Sequence, residues 1–319
     1  SALEEENTLE IQSTEEFLEF AENCRLDIYS ELLYVELKTD IDLTGITFEP
    51  IPIFLGHFNG HGHTIKGLSI SLEGSYQGLF RYIEAGASVR NLNVEGTVKP
   101  AGSRDFVGGI AGQNAGLVDN VSFLGTVSGG DVVGGIVGNN TLTGVVQNCD
   151  MDGEVQGDHF VGGLVGENHG VILYCETKAA INITPQQNSV EISDITLDTI
   201  TGAEAANTVT DIGGVTGYNH GVVRECTNRG DIGYKHMGYN IGGIAGSQMG
   251  YVVDCANYGK VEGRKEIGGI VGQMEPASKV VYSEDTVQIL QDQLGVMSEL
   301  TETASNHTTK NTKKISKTL

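Results

Sequence analysis

Short aliphatic runs bounded by glycine recur along most of the chain and indicate short β-strands. The string Gly-Gly-aliphatic-small-Gly occurs six times, at intervals of about 26 to 29 residues with one interval roughly twice as long, a periodicity typical of solenoids. The long interval equals one ordinary period plus an insertion of about two dozen residues. The six copies begin at Gly108, Gly134, Gly162, Gly213, Gly242 and Gly268.

A second landmark follows in each unit, where a glycine precedes a fixed apolar position by five residues. This position holds Val121, Cys149, Cys175, Cys226 and Cys255. Because four of the five cysteines share one repeat position, we interpret them as small buried thiols stacked on one another. A zinc site would need close pairs such as Cys-x-x-Cys, and a disulfide framework is not expected from one periodic position.

Three short strands per unit cannot bury an apolar face by themselves, whereas stacked units bury a continuous core. The sequence therefore predicts an all-β fold, a single-stranded parallel β-helix of eight or nine coils with about 26 residues each. Parallel crossovers favour a right-handed winding. We assign residues 33–282 to this β-helix, with an insertion near 181–211.

Both ends of the chain carry helical patterns. In the N-terminal segment, residues 1–32, Ser13-Thr14-Glu15-Glu16 has the spacing of a capping box and predicts a short helix that caps the β-helix. In residues 283–319, apolar side chains follow a 3-4-3 spacing, which predicts a helix followed by a polar tail. That helix either packs back on the protein or begins a coiled-coil stalk.

Composition excludes several classes of partner. The net charge is −23, which repels nucleic acid and anionic lipid headgroups, so cations, host proteins and glycans remain as candidates. No apolar run reaches the roughly 18 residues that a membrane span needs, so we expect no membrane insertion in this segment. The first residues, Ser-Ala-Leu-Glu-Glu-Glu, suggest a boundary left by a removed leader.

Strand alternation suggests one partner surface. If the isoleucine-type position after each double glycine points inward, the next position forms an apolar stripe outside, covered by the C-terminal helix or by a partner. The alternative is that these small residues merely make a flat face tolerable to water. The stripe would consist of Ala111, Val137, Val165, Thr216, Ala245 and Val271.

The insertion is the second candidate surface, because long excursions from a regular coil often carry binding function. Its acidic residues Glu191, Asp194 and Asp198 suggest a basic or calcium-bridged ligand. Calcium is also the one metal we consider for Asp105, Asp131 and Asp158, which lie three or four residues before double glycines. Those aspartates alternatively serve as solvated turn caps, and no other cofactor is expected.

Histidines occur in two patterns that we interpret as structural. His57, His61 and His63 are interleaved with glycines, which indicates a tight turn whose last histidine donates to backbone. His169 and His220 share one repeat position between an asparagine and a glycine, which suggests a turn with positive φ.

An enzyme of the polysaccharide lyase or hydrolase type would need paired carboxylates on adjacent coils. The double-glycine strands carry no charge, and Glu95, Glu154 and Glu262 are scattered over the third strands. No Gly-x-Ser-x-Gly elbow or phosphate loop is present. We therefore predict a protein without catalytic activity.

The repeat Gly-Gly-Ile/Leu-Val-Gly-x-Asn-x-Gly resembles the GLUG motif of bacterial surface proteins. The clearest copies are residues 162–170 and 213–221, and the resemblance covers roughly residues 11–282. It implies an extracellular, secreted or surface-attached scaffold or adhesion module that binds protein or glycan. GLUG segments also accompany immunoglobulin-A-cleaving metallopeptidases, so the alternative is a docking segment of such an enzyme. The zinc-peptidase signature His-Glu-x-x-His is absent, so no peptidase residue is transferred.

Overall fold

Every strand pairing in the described part of the chain is parallel, and the strands wind into a solenoid. The computed structural model describes residues 7–102, 104–183, 209–235 and 237–274. They form an all-β parallel solenoid of about nine turns with about 28 residues per turn. The predicted fold class is confirmed, with a turn slightly longer than the commonest spacing between glycine pairs led us to expect.

Three parallel sheets run along the solenoid. Sheet 1 contains Thr8–Ile11, Tyr34–Leu37, Ile41–Asp42, His57–Asn59, Thr64–Ile70, Ser88–Val98, Leu117–Ser128, Val145–Gln147, Asp150–Gln156, Val171–Leu173, Glu176–Thr177, Ala180–Ile181, Val222–Arg224, Thr227–Asn228, Tyr251–Val253 and Ala256–Asn257. Sheet 2 contains Ile51–Phe54, Phe80–Ile83, Ala111–Asn114, Val137–Asn140, Val165–Asn168, Thr216–Asn219, Ala245–Gln248 and Val271–Met274. Sheet 3 contains Val107–Gly108, Asp131–Gly134, His159–Gly162, Thr210–Gly213, Tyr239–Gly242 and Lys265–Gly268.

The recurrent cysteines form one interior column, as the repeat predicted. Pairing of Ser122 with Asp150, and of Asp150 with Glu176, places each preceding apolar residue directly above its counterpart. Cys149, Cys175 and Cys226 are buried, Cys255 is partly exposed, and all are free thiols. The backbone N–H of Cys149 donates to Sγ of Cys175 at 3.4 Å, so neighbouring coils are in direct contact here.

The double glycine forms the corner between sheets 3 and 2, where coils approach closely. A Cβ atom on Gly163 would clash with the carbonyl oxygen of Gly214 in the next coil and would lie 2.8 Å from Oγ1 of Thr177. No side chain fits in that space. The second glycines from Gly109 to Gly243 all face the second glycine of the next coil in this way, which explains why glycine recurs at this position.

A ladder of buried asparagine side chains lies at the end of the strands of sheet 2. Nδ2 of Asn140 donates to Oδ1 of Asn168 at 2.8 Å, and Asn168 donates in the same way to Asn219. Nδ2 of Asn114 donates to Asn140, and Asn219 donates to Gln248, so the ladder spans five coils. None of these residues has a positive φ, so the predicted left-handed turn at Asn168 and Asn219 is wrong. The asparagines instead satisfy one another and the backbone of the corner.

An α-helix, Thr14–Asn23, lies between the first two strands of sheet 1. Oγ of Ser13 accepts from the backbone N–H of Glu16, as the capping-box spacing predicted. The helix buries Phe17 and Phe20, and the Phe20 ring contacts Phe54 and Phe58 at centroid distances of 6.2 and 6.0 Å. Strand Thr8–Ile11 precedes the helix and already pairs within sheet 1, so the sheet starts earlier than residue 33.

The insertion interrupts the solenoid without changing its register. Strand His159–Gly162, before the insertion, pairs with Thr210–Gly213 after it, so the coil resumes where it stopped. Residues 184–208 and 275–319 lie outside the described residues. The predicted C-terminal helix, and the candidate ligands Glu191, Asp194 and Asp198, therefore have no structural description.

Candidate functional site

The predicted apolar stripe on sheet 2 is not exposed. Ile110 and Ala111 both have 0 % exposed surface, and the same holds for Ile136 and Val137. The reason is that the chain turns at the double glycine, so strict strand alternation does not extend across this corner. The interpretation of these positions as a partner-binding surface is therefore wrong. The buried positions are Ala111, Val137, Val165, Thr216 and Ala245, whereas Val271, in the last described coil, is partly exposed.

Sheet 1 presents the apolar side chains that do face outward. Val118 and Val146 point into the core, so the residues on either side of them point to solvent. Register aligns the outward residues from coil to coil into a column. The column is Tyr34, His57, Ser88, Leu117, Val145, Val171, Val222 and Tyr251.

A groove of about 750 Å³ lies over the N-terminal part of this column. Residues of sheet 1 line it, and so do residues 85–87 and 115–116, which directly precede two of the strands of that sheet. Tyr34, His57 and Leu117 supply rings and apolar surface, and Asn59 and Arg90 supply hydrogen-bonding groups. The groove therefore combines a rigid apolar floor with polar groups at its edge.

The aromatic and polar groups of the groove are held by neighbouring side chains. The rings of Tyr34 and His57 lie 4.9 Å apart, and Nδ1 of His57 is 2.9 Å from Oγ of Ser88. Oδ1 of Asn59 accepts from Nδ2 of Asn91 at 3.0 Å. Because each group has a partner in the next coil, the groove keeps its shape without a ligand.

Charge in the groove is mixed. A hydrogen bond from Lys38 lowers the pKa of Glu36, so this carboxyl stays ionised at neutral pH. Arg90 lies on the same face, with its Nε 4.0 Å from Oδ2 of Asp119. Opposite charges on one face favour a neutral polar ligand over a highly charged one.

The groove is not predictable from the sequence, for a physical reason. Tyr34, His57 and Ser88 come from three coils in which the glycine repeat is degenerate, and their adjacency depends on the register of separate strands. In the sequence, the alternation of apolar and polar residues from Leu33 to Leu43 indicates a strand with one outward face. It does not indicate which residues of the next coil lie beside that face.

The calcium candidates Asp105, Asp131 and Asp158 lie near one another at a corner, and they are not part of the described cluster whose potential ligand atoms lie within 4.8 Å of one another. Oδ1 of Asp105 accepts from the backbone N–H of Asp131 at 3.0 Å, as a turn cap would. Burial raises the pKa of Asp131, and the carboxylates of Asp105 and Asp158 raise it further, against the opposing His159. Among the described residues, the one cluster of three or more potential ligands consists of Glu167, His169 and His220.

The histidine turn at residues 57–63 differs from its prediction in one contact. His61 and Gly62 have positive φ, which fits a tight turn. Nδ1 of His63, however, lies 3.0 Å from Oδ1 of Asp40, where a backbone partner was expected. This turn closes against the preceding coil by a side-chain contact.

The third-strand glutamates do not form a pair across adjacent coils. Glu95 aligns with Leu124, whereas Glu154 aligns with Thr126. They therefore occupy different columns, separated by one intervening coil. No acid–base pair is formed by these two residues.

Comparisons with known proteins support a solenoid and leave the family open. No family model matches the chain. It is 38 % identical to Halomucin of Haloquadratum walsbyi over 103 residues, or 30 % of this chain and 1 % of that protein. It is 40 % identical over 101 residues to a protein of Evansella cellulosilytica described as a putative Gly-rich membrane protein, covering 28 % of this chain and 12 % of that one. The chain thus spans a small part of either relative.

One solved structure has the same fold over most of its length. It is the crystal structure of a putative immunoglobulin A1 protease from Bacteroides ovatus, with a TM-score of 0.56 and 16 % identity. The match covers 82 % of this chain and 84 % of that one. At this identity the likeness shows a shared architecture. No helix among the described residues is long and apolar enough to cross a membrane.

Proposed function

We propose that this chain is a non-catalytic module of a secreted or cell-surface protein, and that its groove on sheet 1 binds a neutral glycan. The observation that carries the proposal is the groove itself, about 750 Å³ of open space over a rigid parallel sheet. Ligand sites are typically concave and mostly apolar, with a few placed polar groups.

The groove's chemistry favours a glycan. Tyr34 and His57 offer apolar ring surface, on which the C–H faces of a sugar can lie, while Asn59 and Arg90 offer donors for hydroxyl groups. The net charge of −23 repels acidic polymers, which favours a neutral ligand. A surface setting is supported by the relative that is described as a membrane protein.

A glycan array followed by calorimetry tests the proposal. Tyr34→Ala removes the ring that lies against His57, and we expect glycan affinity to fall at least about fivefold, since an aromatic ring stacked on a ligand contributes on the order of 1–3 kcal/mol to binding. The matched control is Tyr251→Ala, which changes the same residue type in the same column but outside the groove. The control is expected to bind like the unmodified protein.

Two results would contradict this assignment. If no neutral glycan is retained on the array, or if Tyr34→Ala and Tyr251→Ala weaken binding equally, the groove is not the glycan site. A peptide array run in parallel identifies protein binding in place of glycan binding. Unchanged melting temperatures establish that both variants are folded.

A further inference from the structure

Glu167, His169 and His220 bring two imidazoles and a carboxylate together on neighbouring coils. Nε2 of His169 lies 2.9 Å from Oε1 of Glu167. The rings of His169 and His220 are nearly parallel, with centroids 4.9 Å apart and an interplanar angle of 16°. One potential ligand atom from each of the three residues lies within 4.8 Å of the other two.

The buried amide ladder fixes the position of this cluster. Asn168 is fully buried at the end of its strand, and the flanking Glu167 and His169 are directed outward. The backbone N–H of His169 donates to the carbonyl of Asn140 at 2.8 Å, and that of His220 donates to the carbonyl of Asn168 at 2.7 Å. The two histidines thus occupy equivalent positions, although the whole insertion separates them in sequence.

The corner itself does not require histidine. The equivalent position holds Ala115, Thr141 and Met249 in other coils, and each of these residues makes the corresponding backbone hydrogen bond. The position of Glu167 is likewise occupied by Gln113, Asn139, Tyr218 and Ser247 in the other coils. Two imidazoles and one carboxylate coincide only at this pair of coils in the described part of the chain. Turn chemistry therefore does not explain them.

We propose that Glu167, His169 and His220 form a binding site for a divalent transition metal of the zinc class. Imidazole nitrogen and carboxylate oxygen are ligands that zinc accepts, at about 2.0–2.2 Å from the metal. In tetrahedral coordination, two nitrogens that each lie about 2.1 Å from the ion are about 3.4 Å apart. A closure of up to about 1.4 Å from the 4.8 Å limit, by rotation of surface side chains, is sufficient.

Binding at this site replaces the contact between Glu167 and His169. The neutral ring of His169 exchanges its Nε2 proton for one on Nδ1 through solvent, so Nε2 of His169 and Oε1 of Glu167 both become available to the metal. The ligand set contains two nitrogens, which disfavours calcium because calcium selects oxygen. His220 is exposed, so the ion has an open path from solvent and a further coordination position for water.

The metal would join the two coils on either side of the insertion. Glu167 and His169 precede residues 184–208, and His220 follows them. An ion bound to both coils stabilises their stacking by mass action, because it binds only the folded arrangement. The expected effect is a rise in melting temperature that depends on zinc concentration.

Zinc titration of the chelator-treated protein tests the site. Isothermal calorimetry with zinc chloride should show one ion per chain for the unmodified protein. His169→Ala and His220→Ala should each weaken zinc binding at least about tenfold. Loss of a residue that merely orients a metal ligand already weakens binding by that factor, and these histidines would be ligands themselves. Glu167→Gln keeps the shape of the side chain, removes its charge, and should weaken binding as well.

The matched control is His61→Ala. Nε2 of His61 lies 3.5 Å from Oε2 of Glu36, so it is also an exposed imidazole beside a carboxylate on a neighbouring coil. Because it belongs to no cluster of three ligands among the described residues, its loss should leave zinc affinity unchanged. The zinc-dependent rise in melting temperature should persist in His61→Ala and disappear in His220→Ala.

Binding that survives both His169→Ala and His220→Ala would overturn the proposal. Equal losses in His61→Ala and His220→Ala would also overturn it, because they would indicate unspecific binding to surface histidines. A complete absence of zinc binding to the unmodified protein would also overturn the proposal. Glycan binding in the groove is measured separately with Tyr34→Ala, so the two proposals can fail independently.

Discussion

At the residue scale, the solenoid depends on buried polar side chains that satisfy one another between coils. Asn140 donates to Asn168 and to the carbonyl of Gly144, and it accepts from Asn114. An unpaired buried amide destabilises a protein by about 1–3 kcal/mol, so every member of the ladder depends on the next. A repeated asparagine in this position specifies the register of the coils as well as their stability.

The side chain of Asp131 has the opposite effect, because its ionised form destabilises the folded protein. Burial raises its pKa, so the folded protein holds this proton more readily than the unfolded chain does. The raised pKa makes the ionised form unfavourable in the folded state, and stability therefore increases as pH falls through that pKa. The neighbouring Asp105 and Asp158 act in the same direction.

We predict that Asp131→Asn raises the urea midpoint of unfolding at pH 7. The difference from the unmodified protein should shrink as the pH is lowered towards about 4, because the aspartate then becomes neutral. The matched control is Asp152→Asn at an exposed position, which should have little effect. Unfolding followed by circular dichroism over this pH range measures both.

Calcium addition distinguishes the two interpretations of this corner. If Asp105, Asp131 and Asp158 act as turn caps, calcium should shift the midpoint no more than an equal concentration of magnesium. A calcium-specific rise that Asp131→Asn abolishes would establish the calcium site instead. In that case the aspartate would be stabilising, and the expected direction of the substitution would be wrong.

At the element scale, the glycine corner determines how closely successive coils approach. Gly163 has the carbonyl oxygen of Gly214 and the side chain of Thr177 where a Cβ atom would lie. Gly269 occupies the same repeat position in the last described coil and has nothing within 4 Å. The two glycines share a sequence motif and differ in their surroundings.

We predict that Gly163→Ala destabilises the protein by about 1–3 kcal/mol or more, because the added methyl group overpacks a corner without free volume. Gly269→Ala should change stability by less than about 1 kcal/mol, since no neighbour is displaced. Thermal unfolding of the two variants measures the difference. Equal destabilisation would mean that the motif acts through backbone conformation and not through close contact.

The glycine corner and the strands beside it show which features could be predicted from the sequence and which could not. The period predicted the parallel register and the cysteine column, because stacking places equivalent residues one above another. It could not predict the burial of Ala111, because the strand bends at the preceding double glycine and alternation fails there. The groove and the cluster of Glu167, His169 and His220 depend on contacts between coils, which a single repeat does not contain.

At the scale of the whole solenoid, the coils have unequal cores. The middle coils contain small aliphatic residues and thiols, whereas the first coils contain a phenylalanine cluster around the helix Thr14–Asn23. Phe17 stacks on Phe48 with centroids 5.9 Å apart, and Phe20 contacts Phe54 and Phe58. Because each coil contacts mainly its neighbours, local stability can differ along the molecule.

We predict that Phe20→Ala destabilises the first coils by about 3–5 kcal/mol and leaves the distant coils protected. Hydrogen exchange should accelerate in strands Tyr34–Leu37 and His57–Asn59 and change progressively less towards Thr216–Asn219. Ile244→Ala, at a fully buried position in a later coil, is the matched control and should produce the opposite gradient. A uniform acceleration along the chain in both variants would instead show that the solenoid unfolds as one cooperative unit, and stability would then not be a sum over neighbouring coils.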